Sequence, residues 1–581
     1  METKEQAVSS VGERIKKSVA EALSRLKIEG VTFVLEHPDS LIHGDYFTNA
    51  AMAAAKKIHK SPRDLAEKIV AEMRDNCPEE IEKIEIAGAG FINFSLSSKF
   101  FADSIENILS HSDSFGRGDS LSGQKIMVEY TDPNIFKPFH IGHLMSNAIG
   151  ESISRIIQFQ GADIIRACYP SDVGLHIAKA VWGYLKNEKN APLLNDSLGK
   201  KVEFLGDAYV SGSEAYEKSE QSKKEIDSLN EKIFEKGDEK INSIYDNGKK
   251  WSTEHFEEIY ECLGTKFDVF IYESEVAEKG KRITNELVEK SVFEKSEGAI
   301  IFNGEKFGLH KRVFVTSRGL PTYEAKELGL NLKKFEMFPD ITSSMIITGN
   351  EQNDYFKVLI KALSLINEKI GNSTRHIGHG MMRFASGKMS SRTGNVITAE
   401  KLISEIQKLV MQKIEGRKIP VEKKKAISQS VAVGAIKYSI LRQSTGSDIC
   451  FDQSKSVSFE GDSGPYLQYS YARADSVMRN AEARKISLST KVPAGWRVTD
   501  LEKTLYRFPE EVLRASAENE PHHVTTYLID LAGIFNGWYA REKIIDADDG
   551  NAGYRLALAK SFMAVMKNGL FLLGIQSPTE M

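Results

Sequence analysis

The spacing of apolar side chains changes along the chain and marks stretches of different structure. In the first hundred residues, apolar positions recur four apart over 7–26, which predicts an amphipathic helix. Two more helices are expected over 49–59 and 62–74, the second opening on a proline. Short apolar runs flank a turn at 87–90, which is typical of paired strands. The stretch therefore predicts a small α+β domain.

Residues 124–168 have a different rhythm. A short apolar strand is followed by a polar loop with proline, a helix over 142–160 and a second strand at 164–165. Strand, loop, helix and strand in this order form a βαβ unit, which implies a parallel sheet with right-handed crossovers. A later strand at 345–348 and a helix over 352–366 fit the same architecture. We predict a Rossmann-like parallel-sheet core.

The remaining stretches are helical in pattern. A lysine- and glutamate-rich segment at about 186–253 predicts a solvated helical insertion rather than a binding site. From residue 426 to the end almost every segment has a helical pattern, which predicts an all-α bundle. The fold class is thus multidomain α/β. The expected domains are an N-terminal α+β domain at 1–112, a catalytic domain at 113–425 and a helical domain at 426–581.

Composition is consistent with this division. The chain has 581 residues, which is too long for one core, and its 41% hydrophobic and 27% charged residues are typical of a globular protein. It has no apolar run of about 20 residues that could cross a membrane. Its first residues are polar rather than of the signal-peptide kind, so we expect a cytoplasmic location.

The net charge and the positions of the cysteines exclude only a few classes of function. The net charge of −4 does not decide for or against nucleic acid, because a large acidic protein can hold a local basic surface. Cys77, Cys168, Cys262 and Cys450 are scattered, so neither a zinc ribbon nor a redox pair is expected. We expect no structural metal.

The first segment with recognisable chemistry is residues 137–143 (KPFHIGH), directly after the first core strand. The loop beyond a parallel strand and the following helix N-terminus commonly bind phosphate. His140 and His143 can donate hydrogen bonds to phosphate oxygens, and Gly142 leaves room for a nucleotide against the backbone. Alone, the pair could equally be half of a metal site or two surface histidines.

A second segment, residues 387–394 (GKMSSRTG), is bounded by glycines and carries two cations and several hydroxyls. Such a loop can close over a triphosphate and neutralise charge as pyrophosphate leaves. Alone it is typical of an exposed basic loop. The order of the two loops on these elements favours nucleotide chemistry for both.

These motifs resemble a known family. Residues 140–143 (HIGH) and 388–392 (KMSSR) resemble the two signature motifs of class I aminoacyl-tRNA synthetases, and the finer match is to arginyl-tRNA synthetases. The resemblance covers essentially the whole chain. Further matching segments are 44–49 (GDYFTN), 90–94 (GFINF), 128–134 (VEYTDPN), 169–174 (YPSDVG), 319–323 (GLPTY), 464–473 (GPYLQYSYAR) and the ending 572–581.

The resemblance implies a two-step reaction. Arginine would be activated by Mg-ATP to arginyl-adenylate and then transferred to the 2′-OH of the terminal adenosine of tRNA(Arg). Members of the family usually need bound tRNA before they activate the amino acid. The implied charge-stabilising residues are His140, His143, Lys137, Lys388 and Arg392. The implied ATP-binding residues are His140, Gly142, His143, Lys388, Met389, Ser390 and Ser391.

The resemblance also implies the amino-acid site. Glu129 and Asn134 would hold the α-amino and carboxylate end of arginine, with Gln352 nearby. Tyr323 and Glu327 would face the guanidinium, which needs a carboxylate and favours an aromatic wall. Glu327 departs from the aspartate of many relatives, and its alternative role is a solvated helix residue.

A second departure concerns the basic loop. Ser391 stands where the fuller class I motif has lysine. Lys137 resembles the residue that supplies the missing charge in arginyl relatives, and its alternative role is a loop lysine in solvent.

The tRNA would contact three regions: its elbow at the N-terminal domain, its acceptor end at the active site and its anticodon at the helical domain. By resemblance the candidates are Asn93, Tyr539 and Met581. Tyr539 could instead pack in a core with Phe535 and Trp538. The expected partners are tRNA(Arg), L-arginine and ATP, and the expected state is a monomer.

Three alternatives remain open at this point. The chain could be a class I synthetase for another amino acid. It could be a catalytically inactive paralogue that only binds RNA. A small nucleotidyltransferase that shares the first histidine motif would have no use for the helical domain.

Overall fold

The computed structural model describes residues 10–193, 195–385, 397–417, 419–546 and 548–581. The chain divides into two compact units. The first comprises residues 1–119, 470–511 and 530–568, and the second residues 120–469, 512–529 and 569–581. Across the described ranges, none of the helices combines the length and the apolar character that a membrane crossing requires.

The elements of the first 119 residues are α1 (Val11–Arg25), β1 (Leu35–Glu36), β2 (Tyr46–Thr48), α2 (Ala50–Ile58), α3 (Pro62–Met73), β3 (Ile81–Ala87), β4 (Phe91–Leu96) and α4 (Ser98–Ser110). Those of residues 120–385 are β5 (Lys125–Tyr130), α5 (Ile141–Phe159), β6 (Asp163–Cys168), α6 (Leu175–Lys186), α7 (Leu198–Lys218), α8 (Glu220–Glu235), α9 (Glu239–Leu263), β7 (Val269–Phe270), α10 (Glu273–Glu286), β8 (Glu294–Ser296), β9 (Ala299–Phe302), β10 (Arg312–Val315), α11 (Tyr323–Met337), β11 (Ser343–Gly349), α12 (Asn353–Ile366), α13 (Glu368–Ser373), β12 (Thr374–His379) and β13 (Met382–Phe384).

Beyond residue 396 the elements are mostly helical, as the sequence predicts. They are α14 (Ala399–Ile414), α15 (Val421–Leu441), β14 (Ile449–Phe451), α16 (Gln453–Ser456), α17 (Gly464–Ala483), α18 (Asp500–Leu505), α19 (Phe508–Glu518), α20 (His522–Arg541) and α21 (Ala552–Leu572).

In the first unit, an antiparallel sheet of order β1-β2-β4-β3 packs on helices. The predicted helix at 7–26 begins at Val11 among the described residues, because Ser10 caps it and forms a reciprocal capping box with Glu13. Side chains of β4 alternate between buried and half-buried, so that Ile92 and Phe94 lie in the core with α1. The predicted helices and strands of this α+β region are thus present.

The segment 44–49 has a structural role in this unit. Gly44 has φ +100°, and a Cβ there would lie 2.7 Å from the Phe94 carbonyl oxygen, so the turn requires glycine. The buried Asp45 carboxylate accepts a hydrogen bond from the Leu96 amide at 2.8 Å. The Tyr46 hydroxyl donates to Glu510 at 2.6 Å. These bonds fix the sheet within the first unit.

The second unit contains a five-stranded parallel sheet of order β12-β11-β5-β6-β7. Its first strand along the chain, β5, lies in the centre, with later strands added on both sides. This is the doubly wound order of a Rossmann fold, and it confirms the predicted fold class. The strand order reverses between β5 and β11, because their connections leave toward opposite sides.

Central strands are apolar without alternation because helices cover both faces of the sheet. In β5 every residue after Lys125 is buried, and in β11 residues 344–347 are buried. Because the two strands run parallel in register, with Val128 opposite Met345, their carboxyl ends meet at one edge.

The charged segment at 186–253 is helical, as predicted, but it is more than a solvated insertion. Helices α6 and α7 pack closely, since a Cβ at Gly183 would lie 2.0 Å from the Ala208 carbonyl oxygen. On α9, Tyr245 and Lys249 bond the buried carboxylate of Asp172 at 2.9 and 2.6 Å. The insertion therefore supports the loop that follows β6.

Two small sheets were not predicted. Strands β8, β9 and β10 form an antiparallel sheet, and β13 pairs with β14 in parallel. Strand β14 is an exception in the region expected to be helical from residue 426. Its three residues pair with a strand 67 positions earlier, as Met382 with Ile449, and such distant pairing overrides local helical preference.

Candidate functional site

A cavity of about 480 Å³ opens where the strand order of the parallel sheet reverses. Loops that follow β5, β11 and β12 line it, together with the first turn of α5. Ligands of doubly wound sheets bind in the crevice at this position, because the two diverging connections leave space between them. The position alone predicts a nucleotide-sized site.

His140 and His143 form a reciprocal cap at the N-terminus of α5. The Nδ1 atom of His140 accepts hydrogen bonds from the backbone amides of Gly142 and His143 at 3.1 and 3.4 Å. The Nδ1 atom of His143 accepts one from the His140 amide at 3.2 Å. The rings stack with centroids 3.6 Å apart. Two histidines thus replace the usual short polar cap residues.

These hydrogen bonds fix the tautomer of both histidine rings. Because each Nδ1 accepts a hydrogen bond, the proton of a neutral ring must lie on Nε2, which is then a donor. Burial and the charge of Lys137 lower the pKa of His140 to about 4. Burial and the neighbouring His140 hold the pKa of His143 well below its usual range. At neutral pH the pair offers two neutral Nε2–H donors.

Gly142 and Lys137 have roles that the sequence only partly indicated. A Cβ at Gly142 would lie 3.0 Å from the His140 ring, so the glycine first makes room for the cap and also lines the cavity. Lys137 is half-buried in the loop before α5, and its ammonium lies 4.8 Å from the centre of the Tyr209 ring. Its side chain is therefore packed against Tyr209 rather than free in solvent.

The predicted basic loop lies largely outside the described residues, and so do Lys388, Met389, Ser390, Ser391 and Arg392. Its downstream anchor is described. The Ile141 amide bonds the Ile397 carbonyl at 3.2 Å, and the Ala399 amide bonds the Phe139 carbonyl at 2.8 Å. The chain thus resumes beside the two histidines.

A second cavity, of about 400 Å³, adjoins the first and is acidic. Glu129, Asp132, Glu273 and Glu327 all line it. Glu129 lies on β5 and Asp132 in the loop that follows it, whereas Glu273 begins α10 and Glu327 lies on α11.

Two buried lysines neutralise only half of this charge. The ammonium of Lys334 lies 2.7 Å from Glu129, and that of Lys326 lies 2.8 Å from Glu273. No described basic residue forms an ion pair with Asp132 or Glu327. The cavity therefore has two carboxyl groups without a cationic partner, which is an arrangement suited to a doubly cationic ligand.

Both of these acids have a raised pKa. Burial and the nearby Glu129 raise the pKa of Glu327 to about 8. The same two causes raise the pKa of Asp132 well above its usual range, although its carboxylate accepts a 2.7 Å hydrogen bond from the Tyr169 amide. Strongly perturbed acids in a cleft are typical of functional sites.

Tyr323 and Glu327 lie four residues apart on α11 and share one face of the helix. Tyr323 forms the mouth of the acidic cavity and is 57% exposed. Glu327 lies inside, so it is not the solvated helix residue that the sequence also allowed. The ammonium of Lys326 lies 4.4 Å from the Tyr323 ring centre.

The two cavities share one wall. Four residues line both of them: Asp132, Asn134, Thr348 and Gln352. Asn134 is held by pairing of its loop with the segment after β6, where the Ile135 amide bonds the Ser171 carbonyl at 3.1 Å. A ligand of the acidic cavity and a nucleotide would meet at this wall.

The candidate residues for RNA are separate from these cavities. Asn93 is half-buried on β4, on the face opposite the core. Phe535 and Trp538 are buried in the first unit, whereas Tyr539 is 39% exposed and has the Arg473 guanidinium 5.0 Å from its ring centre. The Tyr539 ring also lies 6.3 Å from the Phe535 ring, so Tyr539 is the partly exposed member of this aromatic cluster.

Met581 is buried in the second unit. Its side chain is 9% exposed, and its carbonyl accepts a hydrogen bond from Arg417. The end of the chain is thus held in place. Met581 remains a candidate for RNA only by resemblance.

Several site residues were missed by the sequence reasoning. One missed acid of the cavity is Glu273, and the missed cations that pair with cavity acids are Lys326 and Lys334. The shared wall also contains Asp132 and Thr348, which were not predicted. A signal for Lys334 was present, because it follows Glu327 by two helical turns on the same face of α11. The sequence held no signal for Glu273, because this residue reaches the site through α10 and the position of that helix depends on the whole fold.

A histidine-capped first helix at the switch point of a doubly wound sheet, beside an acidic cavity, is the arrangement expected of a class I aminoacyl-tRNA synthetase, and the chain belongs to this class. Family models agree in all three parts of the chain. The model "tRNA synthetases class I (R), catalytic domain" matches residues 104–453. "DALR anticodon binding domain" matches 467–581, and "Arginyl tRNA synthetase N terminal domain" matches 13–96.

Relatives of known sequence narrow the class to one amino acid. The arginine–tRNA ligase of Treponema denticola is 32% identical over 535 residues, covering 89% of this chain and 90% of the relative. That of Clostridium acetobutylicum is 30% identical over 571 residues, covering 97% of this chain and 100% of the relative. The chain belongs to the arginyl-tRNA synthetase family.

Two solved structures share the fold along the chain. The arginyl-tRNA synthetase of Thermus thermophilus matches with a TM-score of 0.78 at 22% identity, covering 98% of this chain and 100% of that one. The enzyme of Plasmodium falciparum matches with a TM-score of 0.80 at 20% identity, covering 98% and 99%. The relatives favour the arginine interpretation over a synthetase for another amino acid or an inactive paralogue.

Proposed function

We propose that this chain activates arginine with Mg-ATP and transfers it to the 2′-OH of the terminal adenosine of tRNA(Arg). The observation that supports this most directly is the acidic cavity, in which two carboxyl groups lack a cationic partner among the described residues. Arginine carries a guanidinium at one end of a flexible stem and an ammonium beside its carboxylate at the other. Its two cationic groups match the two carboxyl groups that lack a cationic partner, whereas a neutral amino acid has only the ammonium.

In this proposal arginine lies along the cavity. Glu327, on the inner side of Tyr323, accepts hydrogen bonds from the guanidinium, and the tyrosine ring covers one face of the ligand. Glu129 and Asn134 hold the α-amino and carboxylate end. Gln352, on the shared wall, adds a donor for the carboxylate.

The first cavity takes ATP. His140 and His143 donate from Nε2 to phosphate oxygens, and Gly142 exposes the start of α5, whose dipole favours negative charge. Lys137 adds a cation. From the resemblance we assign further phosphate contacts to Lys388, Met389, Ser390, Ser391 and Arg392. Mg²⁺ enters with ATP as part of the substrate.

The reaction needs no covalent enzyme intermediate. An oxygen of the arginine carboxylate attacks the α-phosphorus in line, a new P–O bond forms, and the bond to the bridging oxygen breaks as pyrophosphate leaves. The 2′-OH of the tRNA then attacks the arginyl carbonyl and AMP leaves. Positioning and stabilisation of phosphate charge account for catalysis of the first step.

For tRNA we propose contacts at Asn93, Tyr539 and Met581, with domains at 1–112, 113–425 and 426–581. Tyr539 is supported by its exposure beside Arg473, because an exposed ring with an adjacent guanidinium can stack an unpaired base. We propose that the protein acts as a monomer in the cytoplasm.

The test is ATP–pyrophosphate exchange with each amino acid, with and without total tRNA. Exchange with arginine alone, dependent on tRNA, is the expected result. Exchange with another amino acid would keep the class I chemistry and refute the arginine site. Folded protein without any exchange would favour the RNA-binding paralogue. Loss of exchange in Lys388→Ala would tie the activity to this chain rather than to a contaminant.

A further inference from the structure

Thr348 lies at the wall shared by the nucleotide cavity and the acidic cavity. It is the second-last residue of β11, directly at the edge where the sheet reverses its strand order. Under the proposed function, the arginine carboxylate and the α-phosphate meet at this wall. Groups on it therefore surround the reacting atoms.

The hydroxyl of Thr348 is held by a histidine on the neighbouring strand. The Nε2 atom of His376, on β12, lies 2.8 Å from Thr348 Oγ1. The His376 ring stacks on Phe356, with centroids 4.1 Å apart and planes inclined by 12°. The stack fixes the ring, and the ring in turn fixes the hydroxyl.

The direction of this hydrogen bond decides what Thr348 offers to the cavity. Burial lowers the pKa of His376 to about 4, so the ring is neutral at pH 7 and carries one proton. When that proton lies on Nε2, the ring donates to Oγ1 and the threonine hydrogen is free. The other described acceptor for it, the Gly349 carbonyl, is 3.4 Å away, at the limit of hydrogen bonding.

The chemistry of the wall favours this direction. Both groups that meet there, a carboxylate and a phosphate, are anions and need donors. Asn134 and Gln352 each bring an amide donor to the wall. A threonine that receives a hydrogen bond from His376 adds a further donor.

We propose that Thr348 donates a hydrogen bond to the oxyanion that develops at the α-phosphate, and that His376 is the positioning residue that orients its hydroxyl. The inference rests on the proposed function. The carboxylate oxygen bonds to the α-phosphorus, the bond to the bridging oxygen breaks, and pyrophosphate leaves with that electron pair. Thr348 keeps its proton throughout.

The first test is Thr348→Val, which keeps the branched shape and removes the hydroxyl. The kcat of arginine-dependent pyrophosphate exchange should fall about 10- to 100-fold, the range for one donor to a charged group, with both KM values within about twofold. Thr348→Ser should restore most of the rate. Thr342→Val is the matched control, since its hydroxyl bonds the Lys125 carbonyl at 3.0 Å at the opposite edge of the sheet.

The second test separates orientation from packing. In His376→Gln the amide nitrogen can take the place of Nε2–H, so activity should be largely kept. His376→Phe keeps the stack on Phe356 but has no donor, so kcat should fall as in Thr348→Val. In the double variant Thr348→Val with His376→Phe the loss should be no greater than in either single variant.

Four results would overturn the inference. Thr348→Val could keep the wild-type kcat, or its loss could appear only in KM. The losses in the double variant could multiply, which would mean that His376 does not act through Thr348. A wild-type protein without arginine exchange would overturn the proposed function and this inference together, whereas an active wild type with an unaffected Thr348→Val variant would overturn the inference alone.

Discussion

Arginine should bind more tightly as the pH rises toward 8, because Glu327 must lose a proton before it can face a guanidinium. Burial and the neighbouring Glu129 raise its pKa to about 8 in the empty cavity. A protonated carboxyl offers one donor where the guanidinium needs acceptors. Binding and proton release are therefore linked.

The size of the pH effect on arginine affinity follows from the raised pKa of Glu327. At pH 7, one unit below a pKa of about 8, ionising Glu327 costs about 1.4 kcal/mol, which is a tenfold loss of affinity. Each further unit of acid weakens binding by about another tenfold. Above pH 8 the affinity should level off. About 0.9 proton should be released from Glu327 per arginine bound at pH 7, since that is the fraction protonated before binding.

Two measurements check this linkage. The KM for arginine in aminoacylation should fall about ninefold from pH 6 to pH 7 and about fivefold from pH 7 to pH 8, at saturating ATP and tRNA. Calorimetric titration of arginine in two buffers of different ionisation enthalpy should report the released proton directly.

The variant Glu327→Gln removes the titration and the charge. Its KM for arginine should not change with pH, and at pH 8 it should exceed that of the wild type about 10- to 150-fold, because a charge-assisted hydrogen bond contributes about 1.5–3 kcal/mol. Glu336→Gln is the control. It changes an exposed glutamate on the same helix, paired with Lys279 on the surface.

The same variant should be more stable without ligand. The fold raises the pKa of Glu327 from 4.5 to about 8. Its contribution to the free energy of unfolding is therefore fully present below pH 4.5 and is lost as the pH rises through about 8. At pH 7 the unfolded chain has ionised this group and the folded chain has not, a disadvantage of about 3 kcal/mol that glutamine lacks. The thermal midpoint of Glu327→Gln should exceed that of the wild type at pH 7.

A flat KM profile for the wild type between pH 6 and 8 would refute this account of the cavity. So would a Glu327→Gln variant that keeps both the pH dependence and the affinity, since Asp132 or another acid would then be the group that titrates. A less stable Glu327→Gln variant at pH 7 would show that the cavity compensates the charge in some other way.

Three further predictions concern separate parts of the molecule. Gly183→Ala should destabilise the protein by about 2 kcal/mol or more, because its Cβ would meet the Ala208 carbonyl, whereas Gly199→Ala faces open space and should stabilise by about 0.5 kcal/mol in urea unfolding. His140→Asn keeps an N-cap acceptor but has no Nε2–H, so thermal stability should hold while pyrophosphate exchange falls at least about tenfold. Tyr539→Ala should raise the KM for tRNA at least about fivefold in aminoacylation and leave the KM for ATP unchanged; equal changes in both would exclude a stacking role.

The parallel core could be predicted from sequence because its signals are local. Buried parallel strands are continuous apolar runs, as in β5 and β11, and the histidine motif follows the first of them directly. The helix over 142–160 ends at Phe159 because Gly161 adopts a positive φ of 92° just beyond it. The pattern of apolar residues and a glycine at the end of the helix were enough to predict these elements.

The acidic cavity could be predicted only in part. Resemblance indicated Glu129, Tyr323 and Glu327, and the structure places all three around one cavity. The balancing lysines depend on how α10 packs against α11, and no pattern in either helix fixes that packing. Strands β13 and β14 show the same limit, since their paired residues are 67 positions apart in the chain.

The order of the strands explains why the two substrates would meet where they do. Because β5 is the central first strand and β11 its neighbour across the reversal, the loops after them diverge and leave one crevice between them. Asp132 and Asn134 come from one loop, and Thr348 and Gln352 from the other strand end. The wall common to both cavities is thus built by the two strands themselves, whose register is fixed by five residue pairs. Rigid strand ends hold reacting groups more precisely than mobile loops, so a change to this wall should affect kcat before it affects binding.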